Sequence, residues 1–155
     1  MCEINKNFDD LYKIYRSKFN PTEHAGKTRE SLMKSMPHKR GVYLIWKRSD
    51  DKHKLLYIGS SGKIKKGNLP SGQDVRKRMF GSSTPYKFDS TDIFKYGPTT
   101  TGVPPARYKK SVRLSDIQIE VFATPTNVAP SVLEHLLIQG YVNQFKDLPE
   151  ANQKI

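Results

Sequence analysis

Two tyrosines, one arginine and one glutamate are the residues of this chain whose types and spacing could carry out chemistry. Tyr43 begins one apolar segment and Tyr57 ends the next, so antiparallel pairing of the two segments would bring the phenol rings together. Downstream, Arg78 can offer its planar fork of donors to phosphate oxygens, and Glu134 can hold a hard cation such as Mg²⁺. These groups together suit reactions at a phosphate ester.

A β-hairpin is needed to position the two tyrosines, and the sequence predicts one. Residues 41–47 and 54–59 are apolar, β-branched and aromatic, and the polar stretch 49–52 between them has the composition of a turn. Apolar and polar residues alternate over 117–121, which predicts a third strand.

Helices must carry the arginine and the glutamate. Aromatic and apolar residues recur at helical spacing over 6–19, and Asp74 can cap a short helix that contains Arg78. A last helix is predicted over 130–145, because proline suits its first turn and apolar residues then follow at helical spacing; this helix carries Glu134.

The predicted elements add up to an α+β fold. We expect a single domain over residues 1–155, with a small three-stranded antiparallel sheet flanked by helices, including a short helix around 29–36. Residues 60–73 are rich in glycine and lysine and predict a basic loop. Residues 81–113 hold four prolines and no clear period, so they predict a second, longer basic loop.

Charge is the most informative bulk property. The formal net charge of +12 and the pI of about 9.8 favour a polyanionic partner, which in a cell is most often nucleic acid. No basic amphipathic helix with an aromatic face is visible, and no apolar stretch approaches a membrane span, so we expect no membrane partner. The single cysteine, Cys2, excludes a disulfide framework, and together with a polar, acid-containing N terminus it predicts an intracellular, cytoplasmic protein.

The 81–113 loop interleaves cations with tyrosines, a mixture that suits phosphate contact and base stacking. The residues expected to contact DNA are Lys63, Arg76, Tyr86, Lys87, Arg107, Tyr108, Lys109, Lys110 and Arg113.

Two tripeptides give the chain a resemblance to a known family. Gly41-Val42-Tyr43, thirteen residues and then Tyr57-Ile58-Gly59 resemble the defining pair of the GIY-YIG nucleases. The family's arginine falls on Arg78, its metal-binding glutamate on Glu134, and its terminal asparagine on Asn152. The resemblance covers about residues 40–152, and its strength lies in the order of five separate matches.

The resemblance implies a divalent-metal-dependent DNA endonuclease. It implies that Glu134 holds Mg²⁺ or Mn²⁺, that Arg78 binds the phosphate, that Asn152 helps to hold the site, and that Tyr43 is the general base while Tyr57 orients water or phosphate. The chain lacks the length of the family's large targeting domains, so it resembles the compact restriction enzymes. Cutting both strands of double-stranded DNA would then suit a homodimer.

One departure from the family pattern leaves the base assignment open. Many members place a histidine shortly after the arginine, and residues 79–86 contain none. Some restriction enzymes of the family use a lysine from the loop after the second tyrosine, which implies Lys65 or Lys66 here and could exchange the roles of Tyr43 and Tyr57. The alternatives are a non-catalytic DNA- or RNA-binding module on the same scaffold, a repair or RNA-directed nuclease, and a basic protein-interaction domain.

Overall fold

The computed structural model describes residues 5–61, 74–81, 84–97 and 108–152. The helices are α1 (Phe8–Phe19), α2 (Arg29–Ser35), α3 (Val75–Met79) and α4 (Pro130–Phe145), with a 3₁₀ turn at Leu114–Asp116. The strands are β1 (Thr22–His24), β2 (Gly41–Lys47), β3 (Lys54–Ser61), β4 (Tyr86–Phe88), β5 (Ile93–Tyr96), β6 (Lys110–Arg113) and β7 (Ile117–Ala123).

The main sheet is antiparallel and has the strand order β1-β7-β2-β3. The predicted hairpin is confirmed: β2 pairs with β3, with Tyr43 opposite Gly59 and Ile45 opposite Tyr57. The register then shifts, because Trp46 lies opposite Leu55, which leaves one extra residue in β3. That bulge places two consecutive β3 residues, one of them Tyr57, in the same core cluster.

Each face of the main sheet has its own core. On one face, α1 and α4 pack against apolar residues of β2, β3 and β7. The helical spacing of α1 explains its orientation, since Phe8, Leu11 and Tyr15 are its buried residues, and the Asn7 side chain caps its first turn by accepting from the Asp10 amide at 3.0 Å. The opposite face, which carries both site tyrosines, is covered by α2, α3 and a second sheet.

The α+β class is confirmed, but the expected count of one three-stranded sheet is wrong. The main sheet has four strands, because β1 forms within the polar stretch after α1 and pairs with β7. A second antiparallel sheet, in the order β4-β5-β6, occupies described parts of the region that was expected to be a loop. Each strand there has only three or four residues, which is too short for a visible alternation, and Tyr86, which is predicted to contact DNA, is part of the core.

The segment after α4 lies along the outer edge of β3. The Ala151 amide donates to the Leu56 carbonyl oxygen at 2.8 Å, so the segment adds to the sheet much as another strand would. Glu150 fixes the segment further, because its carboxylate accepts hydrogen bonds from Lys54, from Tyr96 at 3.0 Å and from Lys110 at 3.1 Å. The main sheet, the second sheet and the C-terminal segment therefore meet at one carboxylate.

No helix in the described ranges combines the length and the apolar character that crossing a bilayer requires.

We predict that Glu150→Gln destabilises the protein at neutral pH and that the effect disappears in acid. Burial alone would raise the pKa of Glu150, but hydrogen bonds from Lys54, Lys110 and Tyr96 outweigh it and lower that pKa to about 2. Because the folded pKa is depressed, the stabilisation is present above the unfolded value of about 4.3 and is lost as the pH falls toward 2. The expected loss in unfolding free energy at pH 7 is about 1 kcal/mol, since the group is partly exposed.

Thermal unfolding of both proteins between pH 7 and pH 2 measures this effect. Glu30→Gln is the matched control, because Glu30 forms only an exposed ion pair with Lys34 within α2. A Tm difference between wild type and Glu150→Gln that stays constant across this range would contradict the assignment.

Candidate active site

Three phenol rings meet between the two sheets. The rings of Tyr43 and Tyr57 have centroids 5.9 Å apart, and the Tyr86 ring stands edge-on to Tyr57 at 4.9 Å. The hydroxyl oxygens of Tyr43 and Tyr86 lie 3.0 Å apart and share a hydrogen bond. Tyr43 is fully buried, Tyr86 is 2% exposed and Tyr57 is 8% exposed, so Tyr57 is the phenol of this cluster nearest to solvent.

Close contacts explain why each of the two tripeptides contains a glycine. A Cβ on Gly59 would lie 2.6 Å from ring atoms of both Tyr43 and Tyr57, so only glycine leaves room for both rings beside it. A Cβ on Gly41 would lie 2.2 Å from the carbonyl oxygen of Phe122 in β7. Gly59 therefore makes room for the tyrosine pair, and Gly41 allows β2 and β7 to approach each other.

Glu134 reaches the same end of β3 from the opposite face of the sheet. It is the fifth residue of α4, and its neighbour Leu133 is buried in the core that fixes the helix on the sheet. The Ser60 hydroxyl donates a hydrogen bond to the Glu134 carboxylate. Since Ser60 directly follows Gly59, the carboxylate lies at the strand edge next to the tyrosines.

Arg78 is held near the tyrosines by a short but well-anchored helix. Asp74 caps α3 by accepting from the Lys77 amide at 2.8 Å, and it also bonds His38 Nδ1 at 2.8 Å. Val75 and Met79 bury the inner side of the helix. Arg78 is half-buried, and its charge lowers the pKa of all three phenols.

The electrostatics of the cluster oppose ionisation of the phenols. Burial raises the pKa of Tyr43 and of Tyr86 well above the usual value near 10. Burial and then the Glu134 charge raise the pKa of Tyr57 to about 12, although Arg78 acts in the other direction. Glu134 is the second-largest influence on Tyr57 and a minor one on Tyr43, so the carboxylate is coupled mainly to Tyr57.

Asn152 holds the strand that carries the site. Its side-chain oxygen accepts from the Ile58 amide at 3.0 Å, and its side-chain nitrogen donates to the Ile58 carbonyl at 3.0 Å. One amide group therefore satisfies both outward-facing backbone groups of the residue between Tyr57 and Gly59. The structure thus brings Tyr43, Tyr57 and Asn152 to one short stretch of hairpin.

Three of the residues predicted to contact DNA make contacts within the protein. Tyr86 is buried in the phenol cluster, so it cannot stack on a base in this conformation. Arg76 donates to the carbonyl oxygens of Lys34 and Met36 at the end of α2, and Lys110 is bonded to Glu150.

The remaining predicted DNA contacts fall into two groups. Lys87, Lys109 and Arg113 are exposed, and Tyr108 is half-buried. Lys63 and Arg107 lie outside the described part of the chain, and so do Lys65 and Lys66, the two lysines that the resemblance implies for catalysis.

Metal binding in the described part of the chain could involve only a small set of protein ligands. No group of three or more His, Cys, Asp or Glu side chains in the described ranges is arranged to hold an ion. Glu134 is half-buried, and among the described residues Ser60 is its one hydrogen-bond partner. A lone carboxylate of this kind suits Mg²⁺, which takes one or two carboxylates and keeps several waters.

Two residues of this cluster were missed by sequence reasoning. Ser60 immediately follows the second tripeptide, and its position on the strand after Gly59 is the signal that could have identified it. Tyr86 is predicted to face DNA, although the alternation Tyr86-Lys87-Phe88 between turn residues is typical of a strand with one buried face.

No protein-family model matches the chain, and comparison with curated proteins and with solved structures gives no match either.

We predict that Gly59→Ala destabilises the protein by about 1–3 kcal/mol, because the added methyl group must displace buried tyrosine rings. Denaturant unfolding measures this loss. Gly81→Ala is the control, since its Cβ would lie 3.2 Å from the Lys77 carbonyl oxygen and requires only a small adjustment. Equal losses for the two variants would show that the rings do not depend on Gly59.

Proposed function

We propose that this chain is a divalent-metal-dependent DNA endonuclease of the GIY-YIG kind. The observation that carries the proposal is that Tyr57 lies close enough to both Arg78 and Glu134 for their charges to act on its pKa, although the three residues come from three separate elements. The strand that carries Tyr57 is held by Asn152, which is the last of the five motif matches. Packing alone gives no reason for a carboxylate, a guanidinium and buried phenols to share one location.

In the proposed reaction, Arg78 and Glu134 have different roles toward the phosphodiester. Arg78 offers its donors to the phosphate oxygens and balances their charge. Glu134 offers its carboxylate to Mg²⁺ or Mn²⁺, and Ser60 orients that carboxylate through its hydroxyl. Such an ion supplies Lewis-acid charge for the phosphate and the leaving oxygen.

Burial and electrostatics favour Tyr57 over Tyr43 as the tyrosine whose phenolate form, after loss of its own proton to solvent, would accept a proton from the attacking water. Tyr43 is fully buried and its hydroxyl is bonded to Tyr86, so it positions the neighbouring ring. Tyr57 is the more exposed of the two and responds more strongly to Glu134. Any compensation of the Glu134 charge lowers the pKa of Tyr57, which brings this phenol closer to the range in which a general base works.

We favour double-stranded DNA as the substrate, with cations of the second sheet contacting its phosphates. Lys87 and Lys95 are register partners on one face of the second sheet, and Ser111 follows them across β6. Arg113 lies two residues after Ser111 on β6 and is exposed on the same face. These cations add to a net charge of +12 and would make binding fall as salt rises.

We favour a compact restriction enzyme that acts as a homodimer, because two active sites would be needed to cut both strands.

A nucleic-acid-binding module without catalysis is the second candidate. The observation that favours it is the burial of the phenols, which raises their pKa and keeps them protonated at neutral pH. Nicking of supercoiled plasmid with and without Mg²⁺ separates the two functions, since the module binds DNA but leaves it intact.

We predict that Glu134→Gln lowers cleavage at least about 100-fold and leaves DNA affinity nearly unchanged, because it removes the metal ligand and keeps the side-chain shape. Plasmid nicking and a filter-binding assay in EDTA measure the two effects separately. Glu23→Gln is the matched control, since Glu23 lies on β1 at the far edge of the same sheet. Full activity in Glu134→Gln would refute the assigned metal ligand.

We also predict that Tyr57→Phe lowers the cleavage rate about 10²–10⁴-fold, the usual contribution of a general base. Tyr43→Phe keeps the ring and removes a hydroxyl that bonds Tyr86 and slightly lowers the pKa of Tyr57, so its loss in rate should be smaller. Single-turnover cleavage rates under saturating enzyme compare the two. A larger loss in Tyr43→Phe would move the base assignment to the first tyrosine.

A further inference from the structure

A second feature of the molecule adjoins the candidate active site. A pocket of about 320 Å³ lies between α3 and the outer edge of β4. Its lining includes Arg29, Phe80, Tyr86, Lys87, Phe88 and Tyr108. Tyr86 belongs both to this lining and to the phenol cluster, so one aromatic side chain separates the pocket from Tyr43 and Tyr57.

The pocket walls suit a flat aromatic ligand. The rings of Phe80 and Phe88 have centroids 4.9 Å apart, and Tyr108 adds a third aromatic side chain that is only half-buried. The Arg29 guanidinium lies 5.5 Å from the centre of the Phe80 ring, so a cation is already stacked on this wall. Aromatic and guanidinium planes of this kind stack on nucleobases regardless of sequence.

The charge of the pocket suits an anion. Arg29 is fixed by a hydrogen bond from Nε to the Phe88 carbonyl at 2.9 Å and by its backbone amide, which donates to Asp92 at 2.8 Å. Its two other guanidinium nitrogens have no hydrogen-bond partner among the described residues. Lys87 contributes a second, exposed cation, whose Nζ also lies 3.9 Å from an Asp89 carboxylate oxygen, and no carboxylate belongs to the described lining itself.

We propose that this pocket binds one unpaired nucleotide of the DNA substrate, with its base against Phe80 and Tyr108 and its phosphate beside Arg29 and Lys87. The inference rests on the proposed function, because it supplies a substrate subsite next to the phenol cluster. The pocket volume lies at the lower end of the range for ligand pockets. A pocket of this size can hold a single nucleotide but not a duplex. A base must therefore leave its stack to enter, which is easiest where it is unpaired.

Photocross-linking tests the base contact directly. The full chain, in EDTA so that binding is separated from cleavage, is irradiated with a short single-stranded oligothymidylate carrying one 5-iododeoxyuridine. We expect the cross-linked peptides to contain Phe80 or Tyr108. Cross-links confined to other peptides would overturn the proposal.

Affinity measurements on two matched pairs of variants complete the test. Tyr108→Ala should weaken binding of the same oligonucleotide about 5- to 150-fold, the usual contribution of one stacked base, whereas Tyr108→Phe should bind like wild type. Lys87→Ala should weaken binding more than Lys95→Ala, because the two lysines are cross-strand partners and only Lys87 lines the pocket. Wild-type affinity in Tyr108→Ala, or equal losses in the two lysine variants, would overturn the proposal.

The outcomes distinguish this subsite from the nuclease activity itself. If wild-type protein cuts plasmid in Mg²⁺ but Tyr108→Ala binds the oligonucleotide normally, the pocket proposal fails and the nuclease proposal stands. If no cleavage is found while cross-links map to Tyr108 and both pairs of variants behave as expected, the pocket proposal stands and the nuclease proposal fails.

Discussion

The pairing of β2 with β3 is the constraint on which the candidate site depends. It places Tyr43 opposite a glycine, and the missing side chain of Gly59 creates the space into which two phenol rings fit. Every other group at the site is positioned relative to this pair: Tyr86 bonds Tyr43, and Glu134 reaches the strand through Ser60. A shift of β3 by one residue would turn Tyr57 toward the helices and separate it from Tyr43.

The site combines groups whose effects on the phenols oppose one another. Burial and the charge of Glu134 keep the Tyr57 proton in place, whereas Arg78 favours its loss. The pKa of Tyr57 therefore depends on what neutralises the Glu134 carboxylate, because the Glu134 charge shifts that pKa more than any other influence except burial. Under the proposed function, a cation bound at Glu134 would weaken the effect of that charge and lower the pKa of Tyr57.

The sequence predicts the parts of the fold that have long, regular patterns. The hairpin, the last helix and the strand β7 have the expected positions because their apolar residues repeat over five or more positions. The second sheet was missed because strands of three or four residues contain too few repeats to distinguish core from loop. For the same reason Tyr86 was assigned to a DNA-facing surface, although it is part of the core.

The site itself was predictable only as a set of residue types in order. Local sequence could not indicate that Ser60 bonds Glu134 or that Asn152 holds Ile58, since these contacts join residues 74 and 94 positions apart. Nor could it give the pKa of Tyr57, which depends on how deeply the packed core encloses the ring.

The extra residue in β3 has a consequence for how this hairpin can vary. The bulge lies between the turn and the site, so Leu55 and Trp46 can follow changes in the turn while the pairing from Ile45 to Gly41 is kept by β7 on the other side. Insertions into the turn at 48–53 should thus be tolerated, whereas deletion of Ile58 would put Tyr57 and Gly59 on opposite faces of the sheet. Related chains are therefore expected to differ in turn length and to share a fixed spacing from the bulge to the glycine.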